Sequence, residues 1–287
     1  MRQLTIISGK GGTGKTSICA AFASLAYNTV LADCDVDAAD LHLILKPTIR
    51  KTETFYGLNI ACINKDSCID CKKCFTSCKY NAITTEIKVK MESCEGCGVC
   101  EYVCPVDAIS MKPRAAGHAY VSETRFAPMS HADLFAAEEA SGKLVTEVRT
   151  KAKKLAEDEG KDLILIDGPP GIGCPVISSI TGVDLVLIVT EPTLSAIHDL
   201  QRILDVAHYF NIPAVVCINK YDINFENTKK IENFCIDKKI DVVGKIPYDT
   251  VVTDAMVAEK SVIEFSTGNL NKYIGEMWHQ IKARLGL

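Results

Sequence analysis

The chain has 287 residues, 47% of them hydrophobic, enough to bury a sizeable core in one large domain or two. Its formal charge of -4, from 32 Lys and Arg against 36 Asp and Glu, gives no electrostatic reason to expect a nucleic-acid partner. The 14 cysteines would suit a secreted disulfide scaffold, but Met1-Arg2-Gln3-Leu4-Thr5-Ile6-Ile7-Ser8-Gly9 lacks a signal-peptide layout and no apolar run is long enough to span a membrane, so a cytoplasmic location without stable membrane insertion is expected.

Leu4 to Ile7 predicts a short buried strand, followed by Ser8-Gly9-Lys10-Gly11-Gly12-Thr13-Gly14-Lys15-Thr16 and a helical pattern from Ser17 to Tyr27. This is the GxxxxGKT signature between a strand and a helix. Its small residues let several amide hydrogens and the helix N-terminus point at one anion, Lys15 reaches the beta and gamma phosphates, and the Thr16 hydroxyl ligates magnesium. Gly9, Gly11, Gly12, Thr13, Gly14, Lys15, Thr16 and Ser17 are therefore the expected phosphate-binding residues. A second strand, Thr29 to Ala32, runs into Asp33-Cys34-Asp35, where Asp35 is suited to position water or metal.

Eight cysteines then fall into two runs, Cys68-x2-Cys71-x2-Cys74-x3-Cys78 and Cys94-x2-Cys97-x2-Cys100-x3-Cys104-Pro105. Zinc also binds four cysteines, but the doubled three-plus-one spacing with the trailing proline argues for two 4Fe-4S clusters. In that pattern each cluster takes three thiolates from one run and the fourth from the other: Cys68, Cys71, Cys74 and Cys104 for the first, Cys94, Cys97, Cys100 and Cys78 for the second. Asn81-Ala82-Ile83 and Asp107-Ala108-Ile109 follow the runs at matching positions, as in an internal duplication, and Ile87 to Met91 predicts a short strand. The segment 62–113 is thus expected to be a small α+β domain inserted between 1–61 and 114–287.

Beyond it, His118, Arg125, His131 and Lys143 have no role that composition assigns. The strand Asp162 to Ile166 ends in Asp167-Gly168-Pro169-Pro170-Gly171, which places Asp167 to support magnesium. Cys174, just after it, is open to packing or to a bridging metal. Cys19, Cys217 and Cys235 are expected in the core, Cys34 and Cys62 as structural. Strands at Leu185 to Val189, Ala214 to Ile218 and Val242 to Ile246 alternate with helical patterns near 194–210 and 225–239, and a last helix near 267–285 carries Leu270, Ile274, Met277, Trp278 and Ile281 as a core stripe. The fold class is α/β, a mostly parallel sheet covered by helices on both faces.

The loop with its extra Lys10 resembles the deviant KGGxGKT loop of the MinD/ParA class of P-loop ATPases, to which the nitrogenase iron protein and the Mrp/Nbp iron-sulfur carriers are related. The resemblance implies that Lys10 reaches across a dimer interface to the nucleotide of the other subunit, that Asp35 lies in the first switch and Asp167 in the second, and that Asn219, Pro247 and Asp249 form the base pocket. Asn219-Lys220-Tyr221-Asp222 also matches the guanine-reading NKxD pattern, although the lysine-bearing loop favours ATP. More narrowly, the chain is similar to MinD-like ATPases interrupted by a two-cluster ferredoxin module, including those of the orange-protein complex, and the stretches Arg125 to Met129 and Glu138 to Val145 share in that likeness. It implies a homodimer, or a heterodimer with a paralogous ATPase, and a redox or metallocluster protein as acceptor. Three functions are in view: ATP hydrolysis coupled to electron transfer, with Lys10, Lys15 and Asp35 catalytic; an assembly or carrier ATPase for iron-sulfur or heterometal clusters; and nucleotide-dependent positioning or scaffolding.

Overall fold

A computed structural model describes residues 1–135 and 141–287, and of Ser141 the backbone alone. Glu138, Glu139 and Ala140, part of the stretch singled out above, lie outside the described residues. The chain forms two compact units: Met1–Glu53 with Ala119–Asp133 and Ser141–Leu287, and Thr54–His118 with Leu134–Ala140, of which 136–140 are not described.

The larger unit starts with β1 (Arg2–Ser8), α1 (Lys15–Leu25), β2 (Thr29–Asp33) and α2 (Leu41–Leu45). After β3 (Thr48–Ile63), α3 (Lys73–Ser77), α4 (Val99–Tyr102) and β4 (Ile109–Glu123), it resumes with β5 (Pro128–Leu134), α5 (Ser141–Asp158), β6 (Leu163–Pro170), α6 (Cys174–Ile180), β7 (Leu185–Thr190) and α7 (Leu194–Tyr209). It ends with β8 (Ala214–Asn219), α8 (Phe225–Lys238), β9 (Val242–Ile246), α9 (Val251–Val257), α10 (Val262–Phe265) and α11 (Asn269–Leu285). The strand order is β3-β4-β5-β2-β6-β1-β7-β8-β9, and each neighbouring pair from β5 to β9 is parallel. Of β3 and β4, only Thr48–Glu53 and Ala119–Glu123 belong to this unit.

The central strands are apolar almost without interruption because both sheet faces are covered. Leu4, Ile6, Leu163, Leu165, Leu185 and Leu187 share one core with α1 and α11. Their neighbours Ile7, Ile164, Ile166, Val186 and Ile188, also buried, alternate to the opposite face, as the two-residue period of a strand requires. The stripe Leu270, Ile274, Met277, Trp278 and Ile281 of α11 is buried, with the Trp278 ring 4.8 Å from that of Phe22.

The smaller unit holds the cysteine runs. Ile87 to Met91 is not a strand here: Ile87 adopts φ 55° in a turn, its amide bonded to the Thr84 carbonyl, and Val89 makes one isolated antiparallel bridge with Ile83. A β-branched residue at positive φ breaks the extended backbone that apolar alternation had suggested. The long strands β3 and β4 were not anticipated, since Ile49-Arg50-Lys51-Thr52-Glu53 lacks the continuous apolar character of the central strands.

Phe22, fully buried against Trp278, tests the main core. Phe22→Ala is expected to lower unfolding free energy by about 3–5 kcal/mol, read from chemical denaturation of the larger unit's far-UV signal.

Candidate functional site

Parallel pairing brings the carboxyl ends of β1, β2 and β6 to one edge of the sheet. Asp33 on β2 is in register with Asp167 on β6, and both are fully buried. Among the described residues, neither oxygen of Asp167 nor Oδ2 of Asp33 has a hydrogen-bond partner. Buried carboxylates are not left unpaired without cause, and this orphaned set fits a divalent cation with its water shell. Burial pushes the Asp167 carboxyl up to about 6, against the lowering field of Lys15. Burial, then the charge of Asp167, pushes Asp33 up as well. The nearest compensating charge is Lys15, buried itself, whose ammonium donates to Oδ2 of Asp35 at 3.3 Å. Burial raises Asp35 too, opposed by Lys15.

The loop from Gly9 to Gly14 leads into α1 with Gly12 at φ 78° and Gly14 at φ 95°, left-handed backbone in which a side chain is strained. A Cβ on Gly14 would also stand 2.4 Å from Nδ2 of Asn219. No acidic residue or side-chain cap occupies the start of α1, so its first amides remain directed at the loop. Asn219, at the end of β8, donates Nδ2 to the Thr13 carbonyl at 2.7 Å. Asn219, Pro247 and Asp249 line one cavity of about 220 Å³ together with Gly12, Gly14 and Ser17. Asp222 is not in that lining; its Oδ1 accepts from the Tyr248 amide at 2.7 Å. Lys10 is not in that lining; its ammonium is 2.7 Å from Oε1 of Glu191, a residue the sequence reading did not single out.

Arg125, His131 and His118 do not reach this site. The Arg125 guanidinium ion-pairs with Glu264 and donates to the carbonyls of Ile44 and Leu45, a clamp between the end of α2 and α10. His131 is buried, 2.8 Å from the Ser122 hydroxyl and stacked on Tyr120, and burial holds its pKa down at about 4. The His118 ring meets Phe135 edge-on in the smaller unit. Cys19, Cys34, Cys217 and Cys235 are buried, Cys62 is half-buried, and Cys174 is exposed at the start of α6 with Gly142 facing its Cβ.

In the smaller unit the two cysteine runs are copies at backbone level. Left-handed residues recur at matching positions: Asp70 and Gly96, Lys72 and Gly98, Asn81 and Asp107. The fourth cysteine of each run accepts a backbone amide at 3.3 Å, Cys78 from Ala82 and Cys104 from Ala108. Cys74 packs with Ala61, Ile83, Ile87 and Ile109, and around them stand Cys68, Cys78, Cys94, Cys100 and Cys104. One narrow cavity is lined by Cys94, Cys97 and Cys100 of the second run and Cys78 of the first. Among the described residues, no three His, Cys, Asp or Glu side chains converge on a point suited to a single metal ion, and no helix is long and apolar enough to cross a membrane.

The raised pKa of Asp167 gives a pH signature. Its folded value of about 6 lies above the ordinary 3.8, so the folded chain binds the extra proton; this contribution is complete below pH 3.8 and disappears as pH rises through 6. Asp167→Asn is therefore expected to raise the melting temperature of the nucleotide-free protein at pH 7.5 and to change it far less near pH 4, as scanning calorimetry would read.

The chain matches the model of the CobQ/CobB/MinD/ParA nucleotide binding domain over residues 4–262. It is 35% identical over 283 residues to an uncharacterized protein of Methanocaldococcus jannaschii, covering 98% of this chain and 96% of the other. It is also 42% identical over 50 residues to the pyruvate synthase subunit PorD of Methanothermobacter marburgensis, covering 17% of this chain and 62% of that one. The fold is similar to the septum site-determining protein MinD of Pyrococcus horikoshii, with TM-score 0.60 and 16% identity over 98% of this chain and 95% of that one. With a phosphate loop before α1, orphaned carboxylates at the ends of β2 and β6 and a family match across most of its length, the chain belongs to the CobQ/CobB/MinD/ParA nucleotide-binding family and is a P-loop ATPase.

Proposed function

We propose that the chain is an ATP-driven switch carrying an iron-sulfur module at 62–113, in which nucleotide state and closure with a second ATPase chain control electron transfer to a protein acceptor. The observation that carries the iron-sulfur part is the cavity lined by Cys78 from one run and Cys94, Cys97 and Cys100 from the other. That is the crossed ligand set which two cubanes demand. The 50-residue likeness to a pyruvate synthase subunit, about as long as the cysteine segment, also supports the module. The first cluster would take Cys68, Cys71, Cys74 and Cys104. When bound, such clusters supply one-electron transfer.

At the nucleotide site Lys15 holds the beta and gamma phosphates, Thr16 and Asp167 organise Mg2+, and Asp35 orients the attacking water once phosphate draws Lys15 away from it. Adenine fits the cavity beside Asn219, Pro247 and Asp249. Asp222, which would read guanine, is not in that lining and one of its oxygens accepts from the Tyr248 amide, which supports ATP over GTP. Lys10 meets the phosphates of a second chain, of the same kind or a paralogue.

A second reading is nucleotide-dependent positioning or scaffolding. The likeness of the fold to MinD over nearly the whole chain supports it more directly than it supports electron transfer. Cluster assembly or delivery is a third, with Cys174 as the labile ligand.

Anaerobically reconstituted protein is expected to hold about eight iron and eight sulfide per chain, and Cys78→Ser to lose about half. Lys15→Ala is expected to lower hydrolysis at least about 100-fold. The rate at which reduced clusters pass electrons to a small protein acceptor should differ between ATP, its non-hydrolysable analogue and ADP. Equal rates in all three would remove the coupling and leave positioning; loss of iron to an apo-acceptor would favour delivery.

A further inference from the structure

Strand registry accounts for a contact that no motif specifies. Ile7 on β1 pairs with Ile188 on β7, so continuing both chains by three residues brings Lys10 and Glu191 side by side. Thr190 on β7 pairs with Ile218 on β8, which brings Lys220 to the other side of Glu191. The Glu191 carboxylate then takes both cations, Lys10 on Oε1 at 2.7 Å and Lys220 on Oε2 at 3.2 Å. The Lys10 ammonium has two further acceptors in its own chain, Thr193 Oγ1 at 3.3 Å and Ser195 Oγ at 3.5 Å. Lys220 also donates to the Gly12 carbonyl of the phosphate loop at 2.9 Å.

We infer that Glu191 is a positioning residue that holds Lys10 within its own chain, so that a second chain's nucleotide must draw Lys10 off Glu191 before the two chains engage. This rests on the reading above that Lys10 acts across a dimer, and it adds the residue that sets how readily it does so. Two features suit Glu191 to a reversible hold. The Lys10 side chain is 37% exposed and free to swing outward, whereas that of Glu191 is 14% exposed and stays put. When Lys10 leaves, Lys220 still neutralises the half-buried carboxylate, so release does not strand an unpaired charge. Burial pushes the Glu191 carboxyl up, but the hydrogen bonds from Lys10 and Lys220 outweigh it and hold it below its ordinary value, so the grip is charged at neutral pH. Through Lys220 the same carboxylate touches the loop beside the base cavity, which ties occupancy of that cavity to the freedom of Lys10.

The test is the dependence of steady-state ATP hydrolysis per chain on protein concentration, with the full-length protein. Hydrolysis should rise with concentration, and Glu191→Gln should lower the half-maximal concentration about two- to fivefold, the weight of one partly exposed ion pair. Glu191→Asp, which keeps the charge but withdraws it by one methylene, should move it the same way by less, and covers the event that the amide variant folds poorly. A midpoint unchanged or raised in both Glu191 variants overturns the hold while leaving the trans role of Lys10 intact. Hydrolysis independent of concentration in the unaltered protein overturns that role, and the hold with it.

Discussion

The arrangement that the rest of this molecule serves is the withdrawal of three carboxylates from water at the ends of two adjacent strands, with one buried lysine to oppose them. Asp33 and Asp167 lie fully buried in register, Asp35 follows two residues later, and Lys15 is bonded to Asp35. Like charges in a desolvated pocket raise one another's pKa and cannot all remain ionised without added positive charge. The nucleotide-free site is thus held short of cations. That balance of charge suits a divalent metal, which would supply the missing positive charge.

A fully covered parallel sheet makes this possible. Both faces of the central strands are sealed by helices, so the acidic groups of β2 and β6 stand at the strand ends, and parallel pairing sends those carboxyl ends to one edge. The glycine loop, the acidic residues, Asn219 and Glu191 come together there although they are scattered over most of the chain.

The smaller unit follows another logic. One cluster in it joins Cys74 to Ala61, Ile83, Ile87 and Ile109, with Cys68, Cys78, Cys94, Cys100 and Cys104 packed around them. The repeated left-handed residues Asp70 and Gly96, Lys72 and Gly98 turn the backbone of each run at the same places, with Cys71 and Cys97 exposed at matching positions.

Much of this was legible along the chain. The phosphate loop, the acidic strand ends, the cysteine spacing and the continuous apolar strands are local patterns, set by backbone sterics, by the geometry of ligands a few residues apart and by burial on both sheet faces. Less local features were not. β3 and β4 carry charged residues in place of an apolar run, and Ile87 sits in a turn despite its apolar neighbours. Arg125 proved to be a clamp on carbonyls from α2, a role set by groups far away in sequence. Asp222 completes an NKxD pattern along the chain, yet in the fold it is absent from the cavity lining of Asn219 and its Oδ1 accepts from the Tyr248 amide. The sequence by itself determined which chemistry the chain can carry, because loop, switch aspartates and thiolate runs are each short-range. Tertiary structure alone decided which charges meet: Glu191 finds Lys10 and Lys220 only because β7 is laid between β1 and β8 in a particular register, and strand registry comes from packing the whole sheet.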